Sequence, residues 1–290
     1  MADKINWFPG HMKKAVGIIE ENLKLVDAVL YVLDARAPFA CINPEFDRIL
    51  KDKPRLYILN KADLVEENSV KAWTDFFNGS DFKAFQSRCI ALNSATGVTS
   101  SVVRELRTLL GEKIKRYREK GVKKTLRVMV IGVPNSGKST LINGVAFKKK
   151  AATGDKPGVT KSKQWVNIGD GLEMLDTPGA LAPRLDDENA AKDLFFIGSI
   201  RQEIFDNTEL ALNLIEKLRK IALKNLEERY KIEIAGDTAP MEILEKIAKS
   251  RGCVVKGGEI DIDRAAMTVL DDFKKARTGR ICLEMPKREG

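Results

Sequence analysis

Over the first 180 residues, short unbroken apolar runs alternate with longer amphipathic stretches. The runs at Asp27–Leu33, Arg55–Leu59, Cys89–Leu92, Leu126–Ile131, Gln164–Ile168 and Leu172–Leu175 have the length of strands. Between them, apolar residues at helical spacing predict helices over Met12–Leu25, Val70–Asn78, Ser101–Lys120 and Lys138–Phe147. Strands alternating in this way with helices read as an α/β fold, a mostly parallel sheet with helices on both faces. The texture changes after Gly179. Residues Ala180–Asn189, with Pro183 and the pair Asp186-Asp187, read as a loop or hinge. Beyond it the pattern is helical: Glu209–Tyr230 with Thr208 as N-cap, Met241–Arg251 opened by Pro240 and closed by Gly252, and Asp261–Ala276. The expected organisation is an α/β domain over residues 1–182 and a small α-helical domain over 183–290.

No apolar run approaches the roughly 20 residues of a membrane span; Ala28–Leu33 and Val128–Gly132 are among the longest. The N-terminus lacks the apolar core of a secretion signal, so the expected address is cytoplasmic, with no membrane partner. Four scattered cysteines and a single histidine give no support to a disulfide framework or a zinc site. Charge adds more. The net charge of +9 is unevenly spread, with 30 Lys and Arg against 20 Asp and Glu in residues 1–182, and 20 against 21 thereafter. The excess is densest in Arg104–Arg127, with ten basic and three acidic residues, and in Lys148–Lys163, with six and one. Such runs are either solvated helix faces or contacts to a polyanion, and their place beside the motifs below favours RNA. The near-neutral C-terminal part can still hide basic faces at Lys217–Lys231 and Lys274–Arg280.

The chemistry begins at Gly132-Val-Pro-Asn-Ser-Gly-Lys-Ser139, a G-x4-G-K-[ST] loop directly after an apolar strand. Its glycines let the backbone curl so that amide N–H groups face a phosphate at a helix N-terminus. Pro134, Asn135, Ser136, Gly137, Lys138, Ser139 and Thr140 then surround the phosphates, with Lys138 supplying charge to the β- and γ-oxygens and Ser139 a hydroxyl to Mg²⁺. Downstream, Asp176-Thr-Pro-Gly179 closes a second strand, where Asp176 serves Mg²⁺ and the Gly179 N–H serves the γ-phosphate. Thr160, in Lys156-Pro-Gly-Val-Thr160, completes the expected Mg²⁺ shell, with Thr153 as the competing choice.

Two further strands end in base-reading sequences. In Asn60-Lys61-Ala62-Asp63 the Asp63 carboxylate accepts from guanine N1–H and the exocyclic amine, a donor pair that adenine lacks. Lys61 lies along the base plane, and Asn60 ties this loop to the phosphate loop. Asn93-Ser94-Ala95 supplies a backbone N–H for the guanine carbonyl. Four motifs at four strand ends predict GTP and GDP as ligands. Asn60–Asp63 and the lack of an evident acceptor-binding lid disfavour the reading as a small-molecule kinase.

These motifs resemble those of the translation-factor-related GTPases, but base recognition precedes the phosphate loop, a circular permutation. Trp7-Phe-Pro-Gly-His-Met12, Asp34-Ala-Arg-Ala-Pro38, the permuted motifs and Thr278-Gly-Arg-Ile-Cys-Leu-Glu284 resemble the bacterial ribosome biogenesis GTPase A (YlqF) family over essentially the whole chain. The resemblance implies a factor for assembly of the large (50S) ribosomal subunit, contacting its rRNA, with no DNA partner and a monomeric state expected. Many GTPases orient the attacking water with a Gln after D-x-x-G, whereas Ala180 and Leu181 stand here. The family match therefore implies a catalytic role for His11, against the plain alternative of a solvated helix-start residue. By similarity to other phosphate loops Asn135 is a candidate K⁺ ligand, or an Asn that shapes the loop. An internal salt bridge accounts for Asp34 and Arg36 as well as any role at the nucleotide does. The rival in another functional class is a GTP-regulated RNA-binding scaffold whose hydrolysis is incidental.

Overall fold

The computed structural model describes residues 17, 19–50, 52–79, 86–96, 100–153, 164–176, 187–200, 206–255 and 257–286, with 147–153, 164 and 176 described by their backbone alone. A helical stretch at 19–23 leads into β1 (Ala28–Asp34), α1 (Pro44–Leu50), β2 (Arg55–Asn60), α2 (Glu67–Asn78), β3 (Ser87–Leu92), α3 (Ser100–Leu109), α4 (Gly111–Glu119) and β4 (Leu126–Ile131). After α5 (Lys138–Thr153) come β5 (Gln164–Gly169) and β6 (Leu172–Asp176). The remaining elements are helices: α6 (Glu188–Phe196), α7 (Asn207–Ile221), α8 (Leu223–Tyr230), α9 (Pro240–Arg251) and α10 (Ile262–Lys274). Among the described residues six strands form one sheet in the order β3-β2-β1-β4-β6-β5, parallel except for the edge strand β5, which runs antiparallel to β6.

Every residue of β1 and β2 is buried, as their continuous apolar sequences require of central parallel strands covered on both faces. Successive side chains point to opposite faces and enter two separate cores. Leu30, Val32, Ile58 and Val130 pack with Val102 and Leu106 of α3 and Leu141 and Val145 of α5. Tyr31, Leu33, Tyr57 and Ile131 join a larger cluster with Trp73 and Phe77 of α2, and this cluster continues through Phe195, Leu214, Ile247 and Phe273 of the C-terminal helices. The expected boundary near residue 182 lies outside the described residues.

Several expectations for the helices need correction. The stretch expected as one helix over Ser101–Lys120 is two, α3 and α4, which meet at Leu110 (φ −95°, ψ 9°) just before the weak helix former Gly111. Leu110 is the last buried side chain of that stretch, and α4 buries none. Glu209–Tyr230 is likewise two helices, with Ala222 (φ −152°, ψ 44°) between them, so that Leu218 and Leu226 both reach the core. The cap is Asp206, whose carboxylate accepts the Glu209 N–H at 2.8 Å, while Thr208 donates its hydroxyl to Asp263. Two helices, α1 and α6, carry no clear periodic signal. The second starts inside the expected loop, where Asp187 caps the N–H groups of Asn189 and Ala190. Among the described residues no helix is long and apolar enough to cross a membrane. Burial pushes up the thiols of Cys41, Cys89 and Cys282, so these cysteines stay protonated and unreactive.

The C-terminal tail returns to the sheet. The Ile281 N–H donates to Leu64 O (3.1 Å) and the Leu283 N–H to Arg36 O (2.7 Å). The Glu284 carboxylate accepts the N–H groups of Phe39 (2.8 Å) and Ala40 (3.1 Å), and its carbonyl accepts the Trp73 indole N–H (3.1 Å). Burial, with help from the Asp193 charge and against these N–H groups and Lys217, raises the Glu284 carboxyl to about 7. Between the ordinary value of 4.5 and about 7 the folded state therefore holds a proton that the unfolded chain releases. The associated stability is complete at the acidic end and is lost as pH rises through the folded value. We expect the stability of the wild type to fall relative to Glu284→Gln by up to roughly 3 kcal/mol between pH 5 and pH 8. Urea denaturation across that range measures this, and a pH-independent difference between the two proteins contradicts it.

Candidate functional site

Strand register decides where the polar loops emerge. Asp34 pairs with Asn60 and Asn60 with Leu92, so β1, β2 and β3 end in step. The loops at Ala35–Pro38, Lys61–Asp63 and Asn93–Thr96 leave from that level, beside the loop that follows β4 after Ile131. This carboxyl edge of a parallel sheet is where α/β folds bind ligands.

The loop from Gly132 to α5 is curled tightly. A Cβ on Gly132 (φ 154°) would lie 2.3 Å from the Val32 carbonyl oxygen, so β1 passes too close for any side chain there. Asn135 (φ 58°) and Gly137 (φ 94°) both have left-handed backbone. Such a turn points successive N–H groups inward at a helix N-terminus, the arrangement that receives phosphate oxygens. Lys138 folds back and donates at 2.7 Å to both Gly132 O and Val133 O. Ser136 is buried, and its hydroxyl has no hydrogen-bond partner among the described residues. Pro134 is half-buried, whereas Ser139 and Thr140, on the first turn of α5, are exposed. The curled backbone, the lysine and the exposed Ser139 hydroxyl suit a nucleotide phosphate with its Mg²⁺.

Asn60 joins this loop to the third one. Its Nδ2 donates to Ser136 O (2.7 Å), and its Oδ1 accepts the Ser94 N–H (3.0 Å). A Cβ on Gly137 would fall 2.1 Å from that Nδ2, which explains the glycine. Lys61, itself left-handed (φ 58°), donates to Asn135 O (2.6 Å) and to Asp34 Oδ2 (2.8 Å). Asp63 is exposed in the short 3₁₀ turn Ala62–Leu64. Asn93 Oδ1 accepts the Ala95 N–H (2.9 Å), shaping the turn Ser94–Thr96. The loops that hold residues 60–63, 93–95 and 134–140 thus lie together at one edge of the sheet. Asp176 ends β6, but its side chain lies outside the described residues, as do His11, Thr160 and Gly179. The competing Thr153 is the last residue of α5.

Asp34 and Arg36 prove more connected than their sequence suggests. Asp34 is 0% exposed and Arg36 2%. The guanidinium binds the carboxylate in two-point fashion, Nε to Oδ1 (2.9 Å) and Nη2 to Oδ2 (2.8 Å). Burial opposes the charge on Asp34, but Arg36 and Lys61 outweigh it and hold the carboxyl below its ordinary range. Arg36 also donates to Ile197 O and Lys274 O, both at 3.0 Å. Asn135 Nδ2 donates to the neighbouring Gly198 O (2.7 Å). The sequence signals were a charged residue at the end of an apolar strand and the place of Asp34-Ala-Arg-Ala-Pro38 among the motifs of the resemblance; the pairing of Asp34 with Asn60 comes from the sheet.

Residues 127–246 match the family model described as "50S ribosome-binding GTPase". Ribosome biogenesis GTPase A of Bacillus cereus is 37% identical over 289 residues, covering 99% of this chain and 95% of that protein. A GDP-bound YlqF structure superposes with a TM-score of 0.66 at 28% identity, covering 93% of this chain and 100% of that one. GNP-bound YlqF from T. maritima gives a TM-score of 0.63 at 28% identity, covering 94% and 99%. With the loops at Asn60–Asp63 and Asn93–Thr96 ahead of the Gly132–Ser139 loop on a shared sheet edge, the chain belongs to the ribosome biogenesis GTPase A family of circularly permuted GTPases.

Proposed function

We propose that this GTPase acts in assembly of the large ribosomal subunit, binding it in the GTP state and leaving after hydrolysis. The observation that carries the reading is the Asn60 side chain, bonded at once to the phosphate loop and to the Ser94 loop, which spaces a base site and a phosphate site for one guanine nucleotide. The organisation proposed is a G domain to residue 182 and a helical RNA-contacting region from 183 to 290. Support for the ribosome comes from the relatives' name and from the family model's description.

In this reading Asp63 accepts from the guanine N1–H and amine, Lys61 lies along the base, and the Asn93–Ala95 turn supplies a backbone N–H to the guanine carbonyl. Lys138 exchanges two neutral carbonyl acceptors for charged β- and γ-oxygens, a stronger partnership. Ser139, Thr160 and Asp176 would hold Mg²⁺, which neutralises phosphate charge when bound. Asn135 is proposed as a K⁺ ligand through its Oδ1, since its Nδ2 serves Gly198. The Gly179 N–H faces the γ-phosphate and His11 orients the attacking water, whose oxygen bonds to γ-phosphorus as the bond to the β–γ bridging oxygen breaks, giving GDP and phosphate.

Electrostatics favours one face for RNA. On α4 and just after it, Lys115, Arg116, Arg118, Lys120 and Lys123 are exposed and make no ion pair among the described residues. In the C-terminal basic runs many cations are engaged locally: Lys217 with Asp193, Arg219 and Lys220 with Glu216, Arg229 with Asp272, and Lys275 and Arg277 with Asp271. A paired cation releases few counterions on meeting a phosphate, whereas an unpaired one keeps its full effect.

Three outcomes follow. Asp63→Asn should weaken GDP and GTP binding by at least roughly 100-fold and gain affinity for xanthine nucleotides, whose C2 carbonyl accepts from an amide; unchanged GDP affinity in a nucleotide titration removes Asp63 from the site. GTP turnover in K⁺ and Mg²⁺ should rise at least about tenfold on adding purified large subunits, and His11→Ala should lose that rise. Clear GTP binding with no acceleration would favour the scaffold reading instead. Changing Lys115, Arg118 and Lys120 to Gln should lower the slope of log affinity for large-subunit rRNA against log salt by about 2 to 3. An unaltered slope excludes α4 from the contact.

A further inference from the structure

We infer that Asp34 and Arg36 are positioning residues that couple the guanine-reading lysine to the docking of the C-terminal helices, so that nucleotide binding and helix docking stabilise each other. The inference rests on the reading of residues 60–63 as the guanine site. A salt bridge serving only local stability would be complete with Asp34 and Arg36 bound to one another. Both residues reach further. The second oxygen of Asp34 takes the Lys61 ammonium at 2.8 Å, so the carboxylate anchors the side chain that lies along the base. The other Lys61 bond, to Asn135 O at 2.6 Å, sets the same ammonium against the phosphate loop.

Arg36 carries the link outward. Its Nη1 donates to the carbonyl of Lys274, the last residue of α10, and its Nη2 to the carbonyl of Ile197, immediately after α6. Carbonyls at helix C-termini lack intrahelical partners and carry the negative end of the helix dipole, so a guanidinium there satisfies both needs. Only a planar fork can hold a carboxylate by two points and still reach two carbonyls; a lysine cannot. A second strut lies alongside, from Asn135 Nδ2 to Gly198 O. The turn at Ile197–Gly198 is thus gripped both from the base-reading side and from the phosphate loop.

The consequence is reciprocal. A nucleotide that orders Lys61 and Asn135 favours the geometry in which Arg36 meets the helix ends. A partner that draws α6 or α10 away strips an acceptor from a buried guanidinium and slackens the anchor of Lys61, lowering affinity for the nucleotide. Helix docking thereby becomes a means by which a bound partner promotes nucleotide release.

The test uses the full-length chain, with GDP and inosine diphosphate as probes. Inosine diphosphate lacks the exocyclic amine read by Asp63, so it separates a displaced lysine from a damaged carboxylate site. Asp34→Asn should weaken both nucleotides by the same factor, roughly tenfold or more. Arg36→Lys, which keeps the charge but loses the fork, should weaken both in the same way. In the wild type, adding GDP should slow hydrogen exchange of the amides at 275–279, beyond α10, and at 198–200; in Asp34→Asn that slowing should vanish. The exchange measurement on the wild type needs no variant to fold. GDP affinity within about twofold of wild type in both variants, or exchange at those amides indifferent to GDP in the wild type, overturns the coupling. A change in the ratio of GDP to inosine diphosphate affinity in Asp34→Asn also counts against it. A wild-type chain that binds no GDP overturns the guanine site itself and the coupling with it.

Discussion

The Asn60 amide sits at the end of a buried strand and uses both its ends, donating to Ser136 O and accepting from Ser94 N. Without it, a buried carbonyl and a buried N–H would lose their partners, at about 1–3 kcal/mol for each group left unsatisfied. The surrounding backbone is fitted to that amide: Gly137 has no Cβ because the Asn60 nitrogen occupies the space, and the left-handed turns at Lys61 and Asn135 bring the Lys61 ammonium onto the phosphate loop. The amide can take this position because β1, β2 and β3 end in register, a property of the sheet rather than of any loop. Sheet register, one amide and two left-handed turns together define the distance between the Asn60–Asp63 loop and the Gly132–Ser139 loop. On the proposed reading, a distance held before the ligand arrives lowers the ordering cost of binding both ends of a nucleotide.

How much of this could be read in advance depended on the range over which the physics acts. Central strands were legible because burial on both faces leaves a continuous apolar sequence, as in Ala28–Asp34. Gly252, which caps α9 in left-handed conformation, was legible because the requirement is local to one residue. The break at Ala222 was not, since neither glycine nor proline marks it and the cause is two leucines on either side reaching a common core. Asp206 displaced Thr208 as a cap for a related reason: both residue types suit the position, and a contact from Thr208 to Asp263, 55 residues away, separates them. The short helix α6 was hidden by the Pro and Asp content of the segment before it.

The site divides along the same line. Motifs whose proposed roles concern one ligand and one loop, such as Gly132–Ser139 and Asn60–Asp63, carry their spacing in the sequence. Asp34 and Arg36 do not, because what distinguishes them is a set of partners at Lys61, Ile197 and Lys274, the last of them 238 residues away in the chain. A pattern Asp-x-Arg after a strand is equally compatible with a self-contained ion pair. Only the fold brings two helix ends to the guanidinium.

Circular permutation gives these long-range contacts their importance. The base-reading loops stand early in the chain, and β6, with Asp176 at its end, stands late and leads through 177–186 into the C-terminal helices. Those helices share the apolar cluster on one face of the sheet, and residues 281–284 return to Arg36, Phe39 and Ala40 beside β1. The chain is thus closed on the nucleotide edge from both directions. A helix end that moves there meets a buried ion pair, Asp34 with Arg36, which has no solvent to replace a lost partner. Disturbing such a pair on one side costs far more than loosening an exposed one, because the charge left behind is uncompensated. An arrangement of that kind resists partial displacement, which is the property required if events at the helices are to be felt at the nucleotide as one state or another.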